Sequence, residues 1–376
     1  MSDLPLLPLV ASVGIVLGCV SPLAAEAEGE DVFFRATISP VTNEYHGQWN
    51  VALAELPDGQ VLAIWEAGHT ETKTPNVILS STSSNGGRSW GEAQVFYQRE
   101  GVRCTPSGFF KLDAELHCVH TELPLAGHRG QCIVVDRVST DGGARWGERR
   151  EIRAIEYGAA MQPAVLRDRR IALPVYYSTG KPNGSSGAVS RGLISADGAQ
   201  TWTETAVIPC DIAPGPMEPA LAECNDGGWL CLVRTRGTAK LYAARSADHG
   251  QSWTPAAPLP LESPESIARL LRLHDDSLLV VWNGVASKRQ GPRTPLTAVR
   301  SYDGGRTWPE RRDLVHDPAG GLYSNHGVVQ LRDGTVLVAY QDFHRDPDRS
   351  PQRSGVDSVG LVGFNLEWLS GRKQTQ

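Results

Sequence analysis

The sequence predicts an all-β fold, and within that class a six-bladed β-propeller with Asp-box turns. Three observations carry the prediction. One eight-residue turn, Ser-x-Asp-x-Gly-x-x-Trp, is written five times along the 376 residues. Three copies are complete: Ser139 to Trp146, Ser246 to Trp253 and Ser301 to Trp308. Asn85 replaces the Asp in Ser83 to Trp90, and Ala199 replaces the Gly in Ser195 to Trp202. The closing residues Trp90, Trp146, Trp202, Trp253 and Trp308 are spaced by 56, 56, 51 and 55 residues, so one supersecondary unit is copied along the chain. Lastly, 39 glycines and 25 prolines supply the reversals that a turn-rich β protein needs.

The elements follow in order. Asp with Gly close behind makes a tight reversal, because Asp bonds its own backbone and Gly accepts positive φ. The Trp falls at the start of the next strand, where its ring packs under the turn. Before each box the chain alternates, turns and alternates again. In the first unit Val51–Leu56 runs into Pro57-Asp58-Gly59, Val61–Trp65 leaves it, and Val77-Ile78-Leu79 reaches the box. Later units repeat this around Leu112-Asp113, Arg167-Asp168, Asn225-Asp226-Gly227 and His274-Asp275-Asp276. A sixth turns at Arg332-Asp333-Gly334, ends near Phe364 and has no box. It is short of an outer strand, which Asp31–Ile38 is predicted to supply, closing the ring. The propeller is thus expected over 31–370.

Net charge is −6, and no basic stripe marks a nucleic-acid partner. Leu4–Val20 is apolar apart from small residues and is followed by Leu23-Ala24-Ala25-Glu26-Ala27, which resembles a secretory cleavage site. Residues 1–27 are therefore expected to be a signal segment and the mature chain to be exported without a membrane span. Val16-Leu17-Gly18-Cys19 offers lipid anchoring as a second route. Beyond it lie six cysteines, an even number that permits disulfides in an exported protein. His117-Cys118-x-His120 superficially suggests a metal site, but on a strand positions 117 and 120 point to opposite faces. No metal and no cofactor are expected.

Topology sorts residues by face. The Asp-Gly turns and the boxes share one end of the ring. The other end collects residues just before the first strand and just after the second strand of each unit, where a rigid scaffold presents binding loops. That end gathers His46, Trp49, Asn50, Glu66, Glu71, Arg103, Tyr176, Glu218, Arg234, Arg236, Arg293, Tyr323 and His326 among others. Carboxylates, arginines and aromatics are concentrated there.

These residues give the chain its resemblance to the sialidase superfamily, the BNR or Asp-box neuraminidases, over roughly 45 to 345. Met217-Glu218-Pro219, followed by Leu232-Val233-Arg234-Thr235-Arg236-Gly237, is similar to the family stretch with the nucleophile's carboxylate partner and a triad arginine. Arg293, ten residues before Asp303, stands where the family places another triad arginine. Gly321-Leu322-Tyr323-Ser324 resembles the Tyr-Ser that opens the strand of the tyrosine nucleophile, and Glu71 falls where the family has its acid/base Asp. Trp49, ten residues before Gly59, occupies the place of the family's first arginine; Arg35 lies 24 before Gly59 and is assigned to the closing strand.

The resemblance implies a retaining exo-glycosidase that removes terminal sialic acid or a related acidic sugar from a glycan or glycoconjugate. Guanidinium forks suit a carboxylate. That carboxylate repels an anionic nucleophile, so a neutral tyrosine hydroxyl attacks; sialidases are a known exception to the two-carboxylate scheme. Tyr323 is the expected nucleophile, Glu218 its base and Glu71 the proton donor, with Arg234, Arg293, Trp49, Arg103, His46, Arg236 and His326 binding substrate. Trp49 in place of an arginine favours an atypical acidic sugar or a neutral one, stacked on its ring. A glycosidase or lyase for a different sugar, and a non-catalytic glycan-binding propeller, remain alternatives.

Overall fold

Alternating strands joined by tight reversals, with Gly59, Gly227 and Gly334 or else Asp113, Arg169 and Asp276 at positive φ, fold into six antiparallel sheets, arranged as the blades of a propeller. The computed structural model describes residues 32–42, 44–68, 76–125, 131–178, 187–318, 321–345 and 355–371. The segment 1–27 lies outside them. After β1 (Phe33–Ser39), blade one is β2 (Gly47–Glu55), β3 (Val61–Gly68), β4 (Val77–Ser83) and β5 (Gln94–Tyr97). Blade two is β6 (Val102–Leu112), β7 (Glu115–Pro124), β8 (Gln131–Ser139) and β9 (Arg150–Glu156). In blade three the innermost strand is split into β10 (Ala159–Ala160) and β11 (Ala164–Val165), both paired to β12 (Ile171–Ser178), with β13 (Ala188–Ser195) and β14 (Thr203–Glu204) outside. Blade four is β15 (Met217–Glu223), β16 (Trp229–Arg234), β17 (Lys240–Ser246) and β18 (Ala257–Glu262). Blade five is β19 (Arg269–Arg272), β20 (Leu278–Asn283), β21 (Leu296–Ser301) and β22 (Glu310–Val315).

Blade six contains both ends of the described chain. It orders β23 (Leu322–Gln330), β24 (Val336–Arg345) and β25 (Gly355–Phe364), and β1 pairs as its outermost strand, from Phe33 opposite Phe364 to Ser39 opposite Val359. The N-terminal strand supplies the missing outer strand, so the ring closes by backbone hydrogen bonds. A one-turn helix, α1 (Leu366–Ser370), is capped by the Asn365 side chain at 2.8 Å from the Trp368 N–H. Trp368 stacks on Phe33 at 4.5 Å and fastens β1 in place.

Apolar strand faces meet between neighbouring blades, in one buried cluster per blade interface. Trp65, Trp229 and Trp282, all on second strands, are almost wholly buried there. A fully buried large apolar side chain contributes about 1.5–3 kcal/mol, so the interfaces hold the ring as a unit. Among the described residues Cys104, Cys118, Cys210, Cys224 and Cys231 are free thiols, all but Cys210 buried. His117 bonds the Asp136 carboxylate at 2.9 Å while His120 packs on Tyr97, so the two rings serve separate environments. Among the described residues no helix is long and apolar enough to cross a membrane.

The boxes join third to fourth strands. In each, the serine hydroxyl accepts the N–H four residues on at 2.7–2.9 Å, including the altered copies ending at Trp90 and Trp202. Ala199 keeps the turn by taking φ +64°, a conformation that costs an L-residue about 1–2 kcal/mol. The turn Pro57-Asp58-Gly59 lies against Gly142 of the next box, confirming that turns and boxes share an end.

Candidate functional site

At the opposite end a pocket of about 560 Å³ opens on the ring axis, a size suited to a sugar. All six blades line it: Trp49 and Asn50, Arg103 and Thr105, Tyr157 and Tyr176, Glu218, Arg269, and Asn325 with Gln341. A local device recurs in the inner strands. β2 is bulged between Trp49 and Ala52, β15 between Met217 and Ala220, and β23 between Ser324 and Gly327. Inside these bulges Asn50, Glu218 and Asn325 take φ of +54°, +46° and +49°. A bulge breaks strict alternation and re-aims a side chain. Asn tolerates the left-handed region; Glu does so at a cost of about 1–3 kcal/mol, the kind of strain that accompanies function.

On the blade one and two side, Glu66 at the end of β3 is fully buried. Its carboxylate accepts from Asn50 Nδ2 at 2.8 Å, Thr105 Oγ1 at 2.8 Å, Asn76 Nδ2 at 2.6 Å and Arg103 Nε at 2.5 Å. Burial alone would lower the Arg103 pKa, but Glu66 outweighs it and holds the guanidinium charged. Arg103 sits 5.9 Å from the Trp49 ring, which lies over Gly47, where any side chain would collide with it.

On the blade three and four side, Arg234 Nη1 donates to both Glu218 oxygens, at 2.8 and 2.9 Å. Tyr176, at the end of β12, shares the pocket with Glu218. Burial first, and the charge of Glu218 second, hold the Tyr176 phenol above its ordinary pKa. Behind them Arg293 donates to Ser324 Oγ and to the Gln290 carbonyl at 3.0 Å. Burial and the nearby Arg234 charge lower its pKa. Arg236 lies 3.8 Å from Glu265, and neither lines the pocket.

Blade six differs most from the sequence reading. Tyr323 is buried, packs edge-on against Tyr340 at 5.7 Å and belongs to the apolar cluster between blades five and six. Its backbone carbonyl accepts from Asn283 at 2.7 Å. The residue of β23 that lines the pocket is Asn325, bonded to Gln341 at 2.5 Å. His326 is also buried: its Nε2 donates to the Val281 carbonyl at 2.8 Å, and burial with the Arg269 charge pushes its pKa down to about 3, so the ring is neutral. The His46 carbonyl accepts the Asp357 N–H at 3.1 Å, away from the pocket lining. Glu71 lies outside the described residues.

Of the expected residues, Trp49, Arg103 and Glu218 line the pocket, with Arg234 and Arg293 around Glu218; Tyr323 and His326 sit in the packed interior. Asn50, Glu66 and Tyr176 were legible as members of the pocket end but had no role assigned. Arg269 and Asn325 were missed. A lone charge in the apolar run Ile267-Ala268-Arg269-Leu270-Leu271 was the signal for the first.

Comparison with known proteins follows the same lines. The family model described as BNR repeat-like domain matches residues 59–340. The sialidase of Micromonospora viridifaciens is 27% identical over 362 residues, covering 85% of this chain and 52% of that protein. The chain thus spans about half the length of this curated relative. A Dyadobacter fermentans protein of unknown function superposes with a TM-score of 0.68 at 16% identity, covering 89% of this chain and 99% of the other. Trypanosoma rangeli sialidase, solved with sialic acid, gives a TM-score of 0.66 at 13% identity, covering 89% and 59%. These likenesses establish a shared fold.

Proposed function

Because the chain belongs to the BNR repeat-like domain family, within the sialidase superfamily, we propose that it is a glycoside hydrolase whose axial pocket takes the terminal acidic sugar of a glycan. The observation that carries this reading is the meeting of Glu218, Tyr176, Arg103 and Arg269 in one sugar-sized pocket, with the charges of Arg234 and Arg293 acting on its Glu218 side. Arg103 is neutralised by Glu66 and Arg234 by Glu218, whereas Arg269 and Arg293 make no ion pair among the described residues. The surplus is positive and favours an anionic ligand.

The sequence nominated Tyr323 as nucleophile; its packing in the interior favours Tyr176 for that role. In the proposed reaction the Tyr176 hydroxyl oxygen bonds to the anomeric carbon as the bond to the leaving oxygen breaks. The phenol proton passes to Glu218, and Glu71 protonates the leaving oxygen. Water then attacks the glycosyl-tyrosine, yielding its proton to Glu71, and Glu218 returns the proton to the departing phenolate. A phenol held above its ordinary pKa needs such a base. Trp49 offers its face to the ring of the sugar.

A second reading, glycan binding without turnover, is favoured by one observation: blade six presents Asn325, not a tyrosine, to the pocket. Fluorogenic sialosides and uronides, offered beside neutral glycosides, separate the two. Turnover of an acidic glycoside supports the hydrolase; binding of acidic glycans with no turnover supports the second reading; turnover confined to neutral glycosides overturns the acidic-sugar assignment.

A further inference from the structure

We infer that Arg269, on the blade five side of the pocket, is the residue that holds the carboxylate of the bound sugar and sets the preference for acid over neutral ligand. The inference rests on the acidic-sugar reading and deepens it. Arg269 lines the pocket yet is only 5% exposed. Its Nε donates to the His326 carbonyl at 2.8 Å, which fixes the guanidinium plane. Its buried Nη1 has no hydrogen-bond partner, and it makes no salt bridge among the described residues.

A buried guanidinium N–H left without an acceptor is costly, and a ligand oxygen would relieve it. The other arginines at the pocket are already engaged, although Arg234 Nε is also buried without a partner. Arg103 gives its Nε to Glu66, and Arg234 gives Nη1 to both oxygens of Glu218. Arg293 is turned to Ser324 and the Gln290 carbonyl. Burial lowers the Arg269 pKa only to about 10, with the Glu218 charge opposing the fall, so the cation persists at neutral pH. A planar fork with a free edge matches a carboxylate. Asn325 and Gln341, joined to each other at 2.5 Å, line the same pocket as neutral groups.

The test is direct binding, measured by calorimetry, of an unsaturated sialic acid analogue and of glucuronic acid, each beside its methyl ester. The wild type is expected to bind an acid about ten- to a hundredfold more tightly than its ester, the worth of one charge-assisted hydrogen bond. Arg269→Gln should erase that preference while ester binding stays within about threefold. Asn325→Asp, which adds a carboxylate to the lining of the same pocket without removing Arg269, should erase the preference too and guards against misfolding of the first variant. A preference that survives both changes but disappears in Arg293→Gln overturns the inference and leaves the acidic-sugar pocket standing. Equal binding of acid and ester by the wild type overturns the inference and the acidic-ligand reading together.

Discussion

At the box end of the ring, five turns repeat one set of local hydrogen bonds. A serine oxygen accepts the N–H four residues on, and the Asp or Asn side-chain Oδ1 accepts the N–H four beyond itself at 2.8–2.9 Å. At the pocket end the inner strands of blades one, four and six bulge alike, but the side chains they present are Asn50, Glu218 and Asn325. Copying a repeat keeps the local geometry at both ends. Only at the pocket end has each copy been given different chemistry, so the box end encodes the fold and the pocket end encodes the function.

Four expected outcomes probe that division, the first three in order of size. Glu66→Ala should cost about 3 kcal/mol in urea denaturation, the lower end for a broken buried ion pair, since Arg103 still reaches the pocket. If the cost is below about 1 kcal/mol, the pocket end is not held by that carboxylate. At the box end, Gly305→Ala places a methyl 2.6 Å from Leu230 Cδ2 at φ +80°, and about 2–3 kcal/mol should be lost. The reverse exchange, Ala199→Gly, should change stability by less than about 1 kcal/mol, because relief of strain is offset by chain entropy. A gain at Ala199→Gly as large as the loss at Gly305→Ala would show that Ala199 is strained without that offset.

The smallest effect is in acid. Hydrogen bonds from Thr201 hold the Asp197 carboxyl at about 2, and bonds from Ser252 hold Asp248 there also. These values lie below the unfolded one of about 3.9. The two groups therefore contribute stability that is complete above about pH 4 and is lost as pH falls towards 2. Asp197→Asn and Asp248→Asn should flatten that limb, making these boxes behave like the Asn85 copy. An unchanged acid limb in the double variant would refute the assignment.

How much was legible follows from the same contrast. Box geometry depends on residues at most seven apart, so the sequence contains all of it. The closing strand was legible because Phe33–Ser39 alternates and the sixth repeat lacked an outer partner. Trp49, Arg103 and Glu218 were legible because the ends of repeats are easily located. The choice between Tyr323 and Asn325 was not. In an unbroken strand they share a face, and the bulge in which Asn325 itself takes φ +49° turns them apart. Arg269 was hidden for a related reason: whether a charge in an apolar strand faces a neighbouring blade or the axis depends on packing from the other blades.

The identity of the reacting tyrosine is the central claim, and paired turnover measurements of Tyr176→Phe and Tyr323→Phe on an acidic fluorogenic glycoside test it directly. Tyr176→Phe is expected to lose at least about a hundredfold in kcat, and Tyr323→Phe to stay within about threefold. The opposite pattern, a collapse in Tyr323→Phe with Tyr176→Phe near normal and both proteins folded, would contradict the account.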